Sequence, residues 1–238
     1  MAGCSFNTAR AERAQRLLAR RVMLRDEFPP LKRVAGLDVS YLRTGDGEVG
    51  VGVAVLLDYP SLRPRECVVY VDRVCVPYIP GFLAFREMAV AAPALARLSG
   101  FDLVIVDGHG IAHPRRFGIA SHVGVVFGKP SIGVAKRRLA GLEADDGGKT
   151  YIILGGEKVG VVIRRGRSRL YVSPGNKVSV DTAGRLVESM LKAGRRLPEP
   201  TRVADEVSKA VKHSLRGEGG APTWCRFEGR LSPQLVHQ

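Results

Sequence analysis

Three acidic residues stand among apolar neighbours that make a free charge expensive. Asp38 interrupts the strand-like run Val34-Ala-Gly-Leu-Asp-Val-Ser-Tyr41, and Glu87 lies within the helix-like run Gly81-Phe-Leu-Ala-Phe-Arg-Glu-Met-Ala89. Asp107 closes Leu103-Val-Ile-Val-Asp107 and is followed at once by Gly108-His-Gly110. A buried carboxylate has to be neutralised, paired or bound to a cation. No lysine or arginine stands in register beside Asp38 or Asp107 within its own segment. Three acids drawn to one point from separate elements make the all-oxygen donor set that Mg²⁺ or Mn²⁺ prefers. Singly, each acid reads as a capped turn or a satisfied buried group; together, in this order, they point to metal-assisted hydrolysis.

Periodicity and chain breakers outline the elements that must position these acids. Residues 8–27 read as an amphipathic helix with Thr8 as N-cap and Leu17, Leu18, Val22 and Leu24 on its apolar side, ended by Pro29-Pro30. Strand-like runs follow at 34–43, 49–58 and 66–75. Thr44-Gly-Asp-Gly47 joins the first two as a hairpin, and the short connections imply antiparallel neighbours. A helix over about 81–98, a buried strand at 102–107, a helix near 117–127 and a short strand at 131–135 come next. Helical crossovers make these last strands parallel to their neighbours. The final third reads as a hairpin of 150–154 with 157–163, a strand near 169–173, and helices near 179–193 and 201–216. From Gly217, Gly-Glu-Gly-Gly-Ala-Pro reads as a linker to a flexible tail.

The order predicts one α/β domain over 1–238, a central mixed β-sheet flanked by helices. On that frame Asp38 shares its face with the small Gly36 and Ser40, which leaves room above the sheet. Glu87 aligns with Leu83 and Ala91 on the core-facing stripe of its helix. Asp107 falls at the carboxyl end of a strand, where α/β sheets bind ligands.

Composition points to a polyanionic partner. A net charge of +14 over 238 residues is the electrostatic footprint of nucleic-acid binding, and 28 of the 37 basic residues are Arg, suited to bidentate phosphate contacts. Segment 8–27 lacks the apolar core of a signal peptide, and no apolar run is long enough to span a bilayer, so the expected address is the cytoplasm. Cys4, Cys67, Cys75 and Cys225 lack zinc-ligand spacing; Cys67 and Cys75 flank one strand-like run and could pair elsewhere, but the simpler reading is buried, reduced thiols. Asn and Gln together number five, in keeping with a thermophilic source.

Several longer stretches carry a resemblance. They are Val34 to Tyr41, Pro77-Tyr-Ile-Pro-Gly-Phe-Leu-Ala-Phe-Arg-Glu87, Asp107-Gly-His-Gly-Ile-Ala-His-Pro114, Ala120-Ser-His-Val123, Lys129-Pro-Ser-Ile-Gly-Val-Ala-Lys136 and Leu197-Pro-Glu-Pro-Thr-Arg202. In this order they resemble the endonuclease V family of deoxyinosine-directed repair nucleases, over nearly the whole span from residue 8 to about 210. The resemblance implies a ribonuclease H-like fold with Asp38, Glu87 and Asp107 as metal-binding acids. It adds Asp205 near the metal, through water, although alone Asp205 reads as an acid at a helix N-terminus. It assigns Lys136 to a phosphate oxygen or the attacking water; alone, Lys136 reads as a solvated basic end continued by Arg137 and Arg138.

The implied reaction is Mg²⁺-dependent hydrolysis, with Mn²⁺ as substitute, at the second phosphodiester 3′ to a deaminated base, leaving 3′-hydroxyl and 5′-phosphate ends. The proline-stiffened loop Pro77-Tyr78-Ile79-Pro80 offers an apolar tip of the kind proteins wedge between base steps, or else a turn packed on the helix after it. A flipped base needs a pocket. Gly81, Gly108 and Gly118 permit close backbone approach, and by resemblance Leu83, His113, Ile119 and Leu139 line it. Arg164-Arg-Gly-Arg-Ser-Arg169 reads as a basic hairpin tip that touches phosphate, or as a solvated turn. The expected partner of this monomer is DNA containing deoxyinosine. The alternatives are inosine-containing RNA, a non-catalytic binder, and a generic ribonuclease H or resolvase that would lack the proline-framed loop.

Overall fold

In a computed structural model, the described residues are 5–45, 47–166 and 168–229. The elements run α1 (Thr8–Ala19), β1 (Arg33–Thr44), β2 (Gly47–Asp58), β3 (Pro64–Arg73), α2 (Leu83–Ala96), β4 (Leu103–Asp107), α3 (Ile119–Phe127) and β5 (Ser131–Ala135). They continue with β6 (Leu142–Asp146), β7 (Lys149–Leu154), β8 (Glu157–Arg165), β9 (Ser168–Asn176), α4 (Val180–Ser189), α5 (Glu199–Leu215) and β10 (Arg226–Gly229). The strands form one mixed sheet in the order β10-β3-β2-β1-β4-β5-β9-β8-β7-β6, with β1, β4 and β5 mutually parallel at its centre. This is the α/β class expected from the sequence.

Helices cover both faces, so the central strands are apolar on both sides rather than alternating. Val203, Ala204, Val207 and Val211 of α5 pack with Val51 and Val53 on one face; Ala84, Ala91 and Leu95 of α2 pack with Ala35 and Leu37 on the other. Two glycines set how closely the helices approach. A Cβ on Gly36 would lie 2.1 Å from the Pro200 carbonyl oxygen, and one on Gly52 would lie 2.3 Å from that of Val90. The room above Gly36 is therefore filled by α5. Ser208 on α5 donates to Ser40 at 2.7 Å and locks the register.

Several expectations are corrected. Helix α1 ends at Ala19, and Asn7 rather than Thr8 caps it by accepting from the Arg10 amide. The chain then turns to bond across the fold: the Met23 amide donates to Asn176 and the Glu27 amide to the Lys177 carbonyl. Leu17 and Leu24 are exposed, while Ala11 and Gln15 form the buried side of α1. Strand β6 escaped the sequence reading because the alternation in Leu142-Glu-Ala-Asp-Asp146 rests on Leu142 and Ala144 alone; it pairs at an edge with β7.

The cysteine reading also fails for one pair. β10 lies parallel to β3 with Arg226 opposite Val68, which sets Cys225 beside Cys67, and the two form a disulfide. Cys75 is a free thiol but exposed rather than buried, and Cys4 lies outside the described residues. Part of the expected tail is thus a strand on the sheet, while 230–238, Asp46 of the first hairpin and Arg167 of the basic tip lie outside the described residues. Among the described residues, no helix is long and apolar enough to cross a membrane.

Candidate active site

β1 and β4 are parallel neighbours with Leu37 opposite Val106, so the next residues along, Asp38 and Asp107, stand side by side. Close packing of α5 at Gly36 carries Asp205, on the second turn of that helix, over the same spot. One ligand oxygen from each of Asp38, Asp107 and Asp205 falls within 4.8 Å of the others. Glu87 comes from α2, on the opposite face of the sheet, and is outside this trio, although its charge couples to Asp38 and Asp107.

Like charges in a buried place make the cluster electrostatically unsatisfied. Burial, with the Asp107 charge adding to it, pushes the Asp38 carboxyl up to about 6, against a smaller opposing effect of the nearby Ser208 hydroxyl. Burial and the charges of Asp38 and Asp107 push Glu87 well above the carboxylate range. Arg86 offers Glu87 little relief, because its guanidinium reaches Glu48 at 2.5 Å and the Val76 carbonyl at 2.6 Å. Lys136 donates to Asp107 at 2.9 Å and sits 3.6 Å from Asp205. Burial lowers the Lys136 ammonium, but the Asp107 hydrogen bond and the surrounding carboxylates outweigh it and hold it above its ordinary value. Lys209 meets the other Asp205 oxygen at 2.6 Å. Hard oxygen donors in excess of their cations fit a divalent metal ion, and Asp38, Asp107 and Asp205 could bind one.

Beside the acids lies a cavity of about 510 Å³. All seven residues expected around a base line it: Gly81, Leu83, Gly108 and His113, then Gly118, Ile119 and Leu139. Asp107 and Lys136 also line it, so cavity and acids are contiguous. Tyr78 and Pro80 join the lining; Pro77 and Ile79 do not. Tyr78 is 68% exposed and Leu139 44%, two large apolar side chains left in water. Gly108 has φ +150°, and a Cβ there would come within 2.4 Å of the Ile119 side chain.

Main-chain groups at the three cavity glycines are engaged within the protein. The Gly108 and Gly118 amides donate to the Val134 and Gly110 carbonyls. The Gly81 carbonyl accepts from Gln15 at 3.0 Å, Arg115 at 2.5 Å and His113 Nε2 at 3.1 Å. His113 Nδ1 accepts from the Arg115 amide, so the ring is neutral with its proton on Nε2. Burial, with the Arg115 charge, lowers His113 to about 4 and keeps it neutral. Gln15, Arg115, Ser208 and His109, which also lines the cavity, were not singled out from sequence. Ser208 had a signal, since it follows Asp205 by one helical turn. Gln15 had none.

An α/β sheet bringing acids to the carboxyl end of a parallel strand, beside a base-sized cavity, defines a nuclease-like protein. The endonuclease V family model matches residues 16–206. An endonuclease V from Aeropyrum pernix is 49% identical over 237 residues, covering 98% of this chain and 91% of that protein. The crystal structure of endonuclease V from Streptomyces avermitilis superposes with a TM-score of 0.77 at 36% identity, covering 88% of this chain and 94% of that one. Ciona intestinalis endonuclease V, solved with a 24-mer DNA containing an inosine followed by a ribo-adenosine, has a TM-score of 0.69 at 26% identity over 85% of this chain and 96% of that one. The chain belongs to the endonuclease V family.

Proposed function

We propose that this single domain is a Mg²⁺-dependent endonuclease acting on deoxyinosine in DNA, with hydrolysis at the second phosphodiester 3′ to the lesion. The observation that carries the reading is the continuity of the apolar cavity with the acid cluster through Asp107 and Lys136. Asp38, Asp107 and Asp205 would hold the cation, with the buried Glu87 coupled to Asp38 and Asp107 from the other face of the sheet. When bound, the cation supplies Lewis acidity, acidifying water for attack on phosphorus and neutralising charge on the leaving 3′ oxygen. Lys136, charged and oriented by Asp107 and Asp205, donates to a phosphate oxygen. Tyr78 wedges into the base stack while the extruded base sits against Leu83, Ile119 and the neutral ring of His113.

Inosine in RNA is the second reading, favoured by the ribo-adenosine that follows inosine in the Ciona complex. Both are tested by incubating the protein with Mg²⁺ and matched strands that carry one deoxyinosine or one inosine, then mapping the nick. A cut two phosphodiesters 3′ to deoxyinosine, with 3′-hydroxyl and 5′-phosphate ends, is expected. Faster cutting of the ribose strand would transfer the function to RNA, and cutting independent of the base would remove the lesion reading.

A further inference from the structure

A second cavity, about 750 Å³, meets the first at Lys136, which lines both, and Asp205 lines the second alone. A third, about 560 Å³, shares Ser168, Gly194, Arg195 and Arg196 with the second and extends to Arg164 and Arg165 at the end of β8. Among the described residues, neither lining contains an aromatic side chain. Most cations along this course are already engaged: Arg202 by Glu199 and Glu206, Lys209 by Asp205, Arg169 by Glu143. Arg195 and Arg196 differ. Both are exposed on a tight turn closed by the Arg195 amide on the Lys192 carbonyl, with Gly194 at φ +70°. Among the described residues, their side chains make no ion pair or hydrogen bond. Two adjacent free guanidiniums thus stand where the two cavities join.

We propose that these cavities form a track for the nucleic-acid backbone on the 3′ side of the scissile bond, with Arg195 and Arg196 gripping its phosphates. The proposal rests on the functional reading above. With the base in the first cavity and hydrolysis on its 3′ side, the strand runs past Lys136 and the acids before it reaches Arg195. Guanidinium forks match phosphate oxygens bidentately. Without aromatic platforms the track offers bases no ring to stack on, so its grip falls on the backbone and is independent of sequence.

The test compares wild type with the double variant Arg195→Gln/Arg196→Gln on single strands with one deoxyinosine. In one series the 3′ arm grows to about eight nucleotides, within the site sizes of strand-binding grooves, and in the other the 5′ arm grows. Wild-type kcat/KM should rise with the 3′ arm, and the variant should lose that rise, falling roughly tenfold on the longest strand with no change on the shortest. Its salt slope on the long 3′ arm should drop by about 1.4, the value for two single-strand phosphates. Arg195→Lys/Arg196→Lys should recover the slope, and equal melting temperatures exclude misfolding. A variant that keeps the 3′-arm dependence, or loses both arms equally, overturns the track and leaves the turn to an acidic protein partner. If wild type cuts none of these strands, the functional reading fails instead. Binding in Ca²⁺ then decides the track alone: arm-dependent affinity lost in the variant keeps it, and unchanged affinity removes it.

Discussion

Two acids buried to a similar degree, one on α5 and one beneath it, behave in opposite ways. Glu199 is 5% exposed and Asp38 is 9% exposed. Glu199 accepts from Arg202 at 2.6 and 2.7 Å and from Lys192 at 3.0 Å. The Arg202 hydrogen bond, working against burial, holds its carboxyl down to about 2. Asp38 faces Asp107 and Asp205, and burial lifts it to about 6. Burial of a carboxylate is therefore no mark of a site. The mark is burial without countercharge, which costs free energy in the folded protein until a cation arrives.

The largest effect should come from breaking the unsatisfied cluster. Asp38→Asn or Asp107→Ala is expected to reduce Mg²⁺-dependent cleavage by at least about 10³-fold, a loss of roughly 4 kcal/mol of transition-state stabilisation. Metal-free stability of Asp38→Asn should hold or rise, because a like charge has gone. Glu199→Gln should do the reverse: unfolding free energy falls by about 3 kcal/mol as a buried acid–base network loses its charge, while cleavage per folded molecule changes little. Denaturant melts with single-turnover rates on all three variants test the contrast. A destabilised but active Asp38→Asn protein would invert it.

The same contrast has a pH signature. Glu199 has a folded value below its ordinary 4.5, so its stabilisation is complete above that pH and lost as pH falls toward about 2. Asp38 has a folded value above its ordinary 3.8, so the folded chain holds a proton that the unfolded chain releases. Its contribution to stability therefore declines as pH rises from about 4 through about 6. In chelator, the stability gap between Asp38→Asn and wild type should widen over that window, whereas the Glu199→Gln gap stays level above 4.5. Mg²⁺ at about a hundred times its dissociation constant should restore roughly 2.7 kcal/mol to wild type at neutral pH. Equal protection of Asp38→Asn by Mg²⁺ would move the cation elsewhere.

What could be read from sequence follows the range of each signal. Asp38 and Asp107 each interrupt an apolar run, and the helix between β3 and β4 supplies the crossover to the parallel centre of the sheet, so both acids are legible locally. Convergence of Asp205 depends on α5 docking at Gly36, where the matching partner is Pro200. Sequence separation hides such a contact, as it hides the Cys67–Cys225 pairing across 158 residues. Gln15 is a polar residue on the buried side of α1 only because Gly81, Phe117 and Arg115 satisfy it there. The polar edge strand β6 offers only Leu142 and Ala144 as a periodic signal.

Tyr78 extends the comparison from charge to apolar surface. Its ring, 68% exposed at the edge of the base-sized cavity, is an apolar counterpart of Asp38, a group whose partner is missing from the protein itself. Tyr41 is the covered counterpart, its ring packed against the Arg86 guanidinium 4.0 Å from the centroid. Tyr78→Ala should therefore leave the melting temperature nearly unchanged. It should weaken binding to a deoxyinosine duplex by about 1–3 kcal/mol, the scale of one base–aromatic contact. Affinity for undamaged duplex rests on phosphate contacts and should barely move, so the ratio of damaged to undamaged binding falls. A single strand with little stacking to open should lose less than a duplex. Fluorescence anisotropy on the three substrates, in Ca²⁺ to hold back hydrolysis, measures each term. A lowered melting temperature with equal losses on damaged and undamaged DNA would make Tyr78 a packing residue.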